Sequence, residues 1–214
     1  MYPANPGARA PGFVFLNKAM KKLVLMIDGG FLRVAARKAG TRYDPACIET
    51  FSRTCSLADE ELLRVLYYDC APYQGKQNLP VSGLKQAFHR SDRWIQELAR
   101  KDLFAVRLGV LKFRGYKLKK IPVTGIAALT DADFSPDFEQ KGVDMRIGLD
   151  IASYSALESV DRIGLVTEDT DCVPAMKHTR KSGAQVVLIH LRNRKVPSEL
   201  AQHSDYVRSV AWPP

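Results

Sequence analysis

Short apolar runs that each lead into an acidic residue constrain this chain more than any other feature. Leu23-Val24-Leu25-Met26-Ile27 ends at Asp28, residues 62–68 end at Asp69, and Ile163-Gly164-Leu165-Val166 leads into Thr167-Glu168-Asp169-Thr170-Asp171. Runs this short and apolar, bounded by turn residues, read as buried strands. Helical patterns lie between them, and that alternation predicts an α/β fold with a mainly parallel sheet covered on both faces. The carboxyl ends of such strands form the ligand crevice. The acids therefore fall where a ligand would bind.

The remaining elements follow from periodicity and breakers. A helix through Phe31, Leu32, Val34 and Ala35 closes at Gly40, and Asp44-Pro45 opens another near residues 46–55 as N-cap and first helical residue. A helix is expected over 82–101, with Leu84, Phe88, Ile95 and Leu98 on one side, then a strand over 104–110. Residues 111–139 break the pattern as a basic insertion: 112–120 alternate around Gly115 as a hairpin, and 130–140 are polar and Pro-containing, a loop. Further helices are expected over 143–157, 173–181 and 198–202, and strands over 163–166, 184–190 and 206–210. There is no internal repeat. The organisation expected is a flexible lead over 1–20, one domain over 21–210 and a tail over 211–214, which either docks on a partner or folds back; a homo-oligomer or a protein partner is compatible with this organisation.

The chain has 214 residues and a 46% hydrophobic fraction, enough for one sizeable core. No apolar run approaches the roughly 18 residues needed to span a bilayer, and residues 13–16 are too short for a signal-peptide core. A cytoplasmic protein without membrane contact is the expectation. Net charge is +9, from 32 Lys plus Arg against 23 Asp plus Glu, which favours a polyanionic partner. Cys47, Cys55, Cys70 and Cys172 lack metal-ligand spacing, and the four histidines form no zincin-like pair, so zinc is not expected.

Aspartates gathered at strand ends in a basic chain suggest an acidic centre within a cationic surface. Carboxylates meeting there would repel one another unless a cation lay between them, and an all-oxygen site suits Mg²⁺ or Mn²⁺. Asp28 is followed by Gly29-Gly30, which let the backbone turn and a ligand approach; capping of the next helix is the structural alternative. Asp144, after Lys141-Gly142-Val143, opens a helix and shares a face with Ile147, Gly148 and Ile151. Asp150 lies about 240° around that helix and belongs to a second tier with Asp69, Thr167 and Thr170. Asp171 is expected to cap the helix near Val173 while Asp169 faces the crevice. Lys141, Lys112, Arg114, Lys117, Arg192 and Arg194 are candidate phosphate contacts, with Phe113 and Tyr116 available to stack on bases.

The order Ile27-Asp28-Gly29-Gly30, Lys141-Gly142-Val143-Asp144 and Val166-Thr167-Glu168-Asp169-Thr170-Asp171-Cys172-Val173-Pro174 resembles the NYN domain, a branch of the PIN-like nuclease superfamily. Tyr67-Tyr68-Asp69 and Lys181-Ser182-Gly183-Ala184-Gln185-Val186 are similar to further NYN features. The resemblance spans about residues 22–210. It implies a Rossmann-like three-layer α/β/α fold and a Mg²⁺- or Mn²⁺-dependent ribonuclease centre, with Asp28, Asp144, Asp169 and Asp171 at the acidic positions as catalytic and metal-binding residues. It also implies RNA, single-stranded or structured, as partner. Two departures stand out: Gly29, Gly30 and Phe31 replace a frequent Asn, and Thr167-Glu168-Asp169-Thr170-Asp171-Cys172 replaces Ser-Gly-Asp-Ser-Asp-Phe. A haloacid dehalogenase-type phosphatase would need motifs for which the chain has no room, and no Gly-x-Gly-x-x-Gly supports a dinucleotide site. The alternative is a PIN-like module that binds RNA or a protein without cleaving.

Overall fold

The first long apolar run, Lys21–Asp28, forms β1 at the centre of a seven-stranded sheet of order β6-β5-β2-β1-β7-β8-β9. The structure is a computed structural model and describes residues 19–122, 129–192 and 194–212. The other strands of this sheet are β2 (Glu60–Cys70), β5 (Phe104–Leu118), β6 (Phe134–Lys141), β7 (Arg162–Val166), β8 (Gln185–Leu191) and β9 (Tyr206–Val210); β3 (Gly75–Asn78) and β4 (Lys85–Phe88) form a separate hairpin. The helices are α1 (Gly29–Ala39), α2 (Pro45–Thr54), α3 (Arg93–Ala99), α4 (Val143–Ser155), α5 (Val173–Lys181) and α6 (Ser198–Gln202). All pairings within the large sheet are parallel except that of β5 with β6.

Alternation along the strands divides the buried side chains into two clusters. Val24 and Met26 pack with Val143, Ile147 and Ile151 of α4 and with Val173 and Met176 of α5. Leu25 and Ile27 pack with Leu32 of α1, Ile48 and Phe51 of α2 and Leu98 of α3. Helices thus flank the sheet through two separate sets of side chains. The chain leaves β1 toward β2 and β5 on one side, then returns to β7, β8 and β9 on the other. The reversal falls between β1 and β7, where Ile27 pairs with Val166. In open α/β sheets this is where ligands bind.

Two expectations fail on the β5 side. Residues 82–101 are not one helix. Gly83 at φ +69° turns the chain, Lys85–Phe88 pair with β3, and only Arg93–Ala99 is helical. Ile95 and Leu98 are buried, but Leu84 is 68% exposed, so the apolar spacing joined residues from two elements. Asp131 accepts the backbone N–H groups of Val81 and Ser82 at 2.9 and 3.2 Å, a distant tie that local periodicity does not reveal.

The second failure concerns the basic insertion. Gly115, at φ +117°, marks a bulge inside β5 rather than a hairpin turn, and the partner of β5 is the stretch expected as a loop, Phe134–Lys141. That stretch is a sheet-edge strand, where Pro136 and a polar composition are tolerated. Beyond Gly109, which pairs with Cys70 at the end of β2, β5 and β6 continue as a two-stranded ribbon. At about 3.3 Å per residue it rises on the order of 25–30 Å past the carboxyl edge of the sheet. Residues 123–128 lie outside the described set, as do 1–18 of the expected lead and 213–214 of the tail. Trp212 folds back: its indole donates to Thr41 Oγ at 3.0 Å and its ring packs on Phe51.

Candidate functional site

Asp28 ends β1 and caps α1, accepting the Phe31 N–H at 3.0 Å. Capping and crevice placement therefore coexist in one side chain. The turn after it is set from beneath. A Cβ at Gly29 would lie 2.3 Å from Tyr67 Oη and 2.7 Å from the Tyr68 carbonyl oxygen, so position 29 has no room for a side chain. Gly29 thus serves the core rather than a ligand, whereas a Cβ at Gly30 would meet Asp28 Oδ1 at 3.2 Å and the Gln140 amide at 3.5 Å. Tyr43 bonds the Tyr67 hydroxyl and donates to the Gly29 carbonyl at 3.1 Å.

Asp144 stands in the first turn of α4, after Gly142 at φ +78°, with Ile147 and Ile151 buried below it. Asp169 follows β7 and caps a 3-10 turn over Thr170–Cys172, accepting the Asp171 N–H at 2.9 Å; its own N–H donates to Thr167 Oγ at 3.0 Å. The cap expected of Asp171 therefore belongs to Asp169. The intervening 3-10 turn moves the capping position two residues back, and α5 itself starts without a side-chain cap.

Electrostatics tie these acids together. Burial pushes the Asp28 carboxyl up, the Phe31 and Gly30 amides oppose that, and the charges of Asp144 and Asp169 add to the rise. Asp144 is also raised, by burial first and then by Asp169 and Asp171. Cys172 lies buried among them. Its thiol is pushed up to about 12 by burial, then by Asp169, Asp28, Asp144 and Asp171, so one atom senses all four charges. Among the described residues none of the four carboxylates forms a salt bridge. Uncompensated hard oxygen donors suit a divalent cation chemically. Yet among the described residues no three acid, His or Cys side chains form a ready-made metal-binding group. An ion held through one or two carboxylates and its own waters, as Mg²⁺ commonly is, fits both observations.

The other candidates have different positions. Asp69 is buried and receives two bonds of 2.9 Å from Arg33, so it braces α1. Asp150 accepts from Tyr68 Oη at 2.9 Å and Arg107 Nε at 3.1 Å, apart from the four acids. Thr167 is buried and orders the Asp169 loop, and Thr170 starts the 3-10 turn. Arg194 is committed to Glu168 through two 2.6 Å bonds and lies over the Phe31 ring, so it clamps the 167–169 loop onto α1. Lys141 pairs with Glu139, Arg114 with Glu139 at 3.3 Å, and Lys117 with Asp137 at 2.7 Å, all on the ribbon. Lys112 and Arg192 are exposed. Phe113 packs against Phe138 and Tyr116 at 5.8 and 5.2 Å between centroids. Sequence reasoning missed Arg33, Gln140 and the Glu168–Arg194 clamp. The four-residue spacing of Arg33 from Gly29 on one helix was a usable signal, but no local pattern pairs it with Asp69.

Residues 86–211, more than half of the chain, match the NYN domain family; that stretch contains Asp144, Asp169 and Asp171 and begins after Asp28. No curated protein matches the chain in sequence. A crystal structure of a protein of unknown function from Vibrio parahaemolyticus is similar in fold, with a TM-score of 0.53 at 16% identity, over 91% of this chain and 96% of that one. No described helix is long and apolar enough to cross a membrane. Strand order, the switch point between β1 and β7, and the matched stretch lead to one assignment: the chain belongs to the NYN domain family.

Proposed function

We propose that this protein is a divalent-metal-dependent endoribonuclease of PIN-like, three-layer α/β/α architecture, hydrolysing RNA phosphodiester bonds at Asp28, Asp144, Asp169 and Asp171. The observation that carries the reading is that Asp28 at the end of β1, Asp169 and Asp171 after β7, and Asp144 in the first turn of α4 stand at the carboxyl side of the sheet with no salt-bridge partner among the described residues. An assembly of like charges at a switch point is unfavourable by itself, and a cation with a phosphate oxygen relieves it. Mg²⁺ or Mn²⁺ would be held directly by one or two of Asp28, Asp144, Asp169 and Asp171, with water between the ion and the others. When bound, the ion supplies Lewis-acid polarisation of the scissile phosphate and charge to offset the leaving oxygen. The chain supplies the rest. The Phe31 N–H fixes the Asp28 carboxylate, the Thr167 hydroxyl and Asp171 N–H fix the Asp169 loop, and Arg194 anchors Glu168 beside it. Lys112 on the ribbon and Arg192 after β8 are the exposed cations proposed to meet the RNA backbone.

The test is cleavage of labelled single-stranded and structured RNAs with Mn²⁺, Mg²⁺ or EDTA, with Asp144→Asn run beside the wild type. Loss of an outer partner at a metal site costs about 10–100-fold, so loss of a ligand should cost at least about 100-fold. Metal-dependent cutting that the variant lacks supports the nuclease. That no three acid, His or Cys side chains form a metal-binding group among the described residues favours a second reading, an RNA- or protein-binding module that does not cleave. Chelator-indifferent, salt-dependent RNA binding without cutting in any metal would establish it.

A further inference from the structure

A concavity of roughly 890 Å³ lies beside the acidic crevice, between α1, α3, the β3–β4 hairpin and the β5–β6 ribbon. Ligand pockets span about 300–1,000 Å³, so its size suits a bound molecule. Its walls have two chemistries. Tyr73, Phe88, Trp94 and Phe138 line it, each half-buried, so each ring is held by the protein and still partly exposed. Tyr73 packs on Phe138 and Phe88 at 5.3 and 5.8 Å between centroids, and Trp94 stands edge-on to Tyr43 at 6.1 Å. The charged lining is Arg33, Arg37 and Arg90 against Asp69 alone, and Asp69 is already neutralised by Arg33. Arg37 and Arg90 are exposed and form no salt bridge among the described residues.

The groove points at the acids. Gly30, Arg33 and Arg37 succeed one another along α1 by three- and four-residue steps and so share a face. Across from them, Pro136, Phe138 and Gln140 alternate along one face of β6. The two rows converge where the Gln140 amide and Asp28 Oδ1 both approach Gly30.

We infer that this groove is the path of a single-stranded nucleic acid, its bases stacking on the aromatic wall while Arg37 and Arg90 hold phosphates, delivering the strand to Asp28. The inference rests on the nuclease reading for its direction but not for its occupant. Rings offer an unpaired base a face that a paired base has already given to its neighbours, and stacking on aromatic side chains tolerates any sequence. A duplex would gain only the two arginines.

The sequence contains two tryptophans, so Trp212→Phe leaves Trp94 in the groove as the only indole. This protein is titrated in EDTA with an oligouridylate of about 12 nucleotides, within the usual site size of single-strand binders, while anisotropy of a labelled copy reports binding separately. The expected result is strong quenching of Trp94 with the same midpoint as the anisotropy change, and a duplex of equal length that binds at least about tenfold more weakly without quenching. Arg37→Ala/Arg90→Ala, tested by anisotropy without the Trp212 change, should weaken single-strand binding and reduce the log–log salt slope by about 1.4, two phosphates at 0.7 each. Binding with unchanged Trp94 emission and indifference to the arginine pair would place the strand elsewhere. No binding of RNA at all would leave the groove to a protein partner and overturn the inference. Because EDTA removes cleavage from the measurement, quenching without any metal-dependent cutting sinks the nuclease reading alone, and cutting without quenching sinks the groove alone.

Discussion

Glu60 at the amino edge of the sheet and the four acids of the candidate site at its carboxyl edge are treated in opposite ways. Toward the amino edge, Glu60 has no exposed side-chain surface and is enclosed by Arg162 at 2.7 Å, Arg208 at 2.8 and 2.9 Å and the Leu57 N–H at 2.8 Å. Burial pushes its carboxyl up, but these bonds, led by Arg208, outweigh it and hold the group below its ordinary range. At the carboxyl edge, Asp28 and Asp144 lie above theirs, raised by burial and by each other's neighbours. An acid that serves the fold is given its cations by the chain. Acids left without cations from the chain are what the proposed metal site requires.

The largest effect is expected where the contrast is removed at the amino edge. Glu60→Gln keeps the shape but leaves Arg162 and Arg208 without their shared anion, and breaking one side of a buried pair costs about 3–5 kcal/mol. Urea unfolding should show that loss in the midpoint. RNA cleavage per folded molecule should not change. Glu60 has a lowered folded pKa, so its contribution is complete above the unfolded value and is lost as pH falls through the folded one. The variant should therefore lack that part of the wild-type acid transition.

The same contrast explains what could be read from the sequence. Strands β1, β7 and β8, and helices α2, α5 and α6, were legible because burial on both sheet faces writes unbroken apolar runs and because Asp44-Pro45 and Gly183 mark ends locally. Asp28, Asp169 and Asp171 were visible for the same reason, since they end β1 or follow β7, whereas Asp144 was visible from the Gly142 that opens α4. The β5–β6 ribbon was not. Its residues are half-buried or exposed, its Gly115 bulge imitates a turn, and the pairing of Leu118 with Phe134 spans a gap that no local pattern bridges. Arg33 and Arg194 were misplaced or missed because an ion pair is a tertiary fact: each meets an acid 36 or 26 residues away.

A smaller effect is expected from the turn that supports the carboxyl edge. Gly29→Ala forces a methyl to within 2.3 Å of Tyr67 Oη, and overpacking of this kind costs about 1–3 kcal/mol. Because Tyr67 and Tyr43 hold the start of α1, cleavage per folded molecule should fall as well. Gly30→Ala is the informative partner. Its methyl would meet Asp28 Oδ1 at 3.2 Å and the Gln140 amide at 3.5 Å, the far ends of side chains rather than backbone, so stability should change little while cleavage drops. Equal destabilisation by both variants would mean that position 30, too, belongs to the core.

The smallest and most diagnostic effect is a gain. Asp28→Asn keeps an acceptor for the Phe31 N–H, since Asn caps a helix as well as Asp, and removes the charge that Asp144 and Asp169 oppose. At neutral pH without metal, Tm should rise by about 2–4 °C, the response of a domain this size to ~1 kcal/mol. Asp28→Ala loses the cap and should fall by about 1 kcal/mol instead. The pH dependence has a definite sign. A raised folded pKa means that between the unfolded and folded values the native state binds more protons, so wild-type stability falls as pH rises through that window. The gain from Asn should thus be full above the folded pKa of Asp28 and vanish below its unfolded one. Mn²⁺ should invert the order, stabilising the wild type and not the variant. If Asp28→Asn is no more stable than wild type in EDTA at any pH, Asp28 is a helix cap like Asp44, and the two edges of the sheet do not differ in the way their charges suggest.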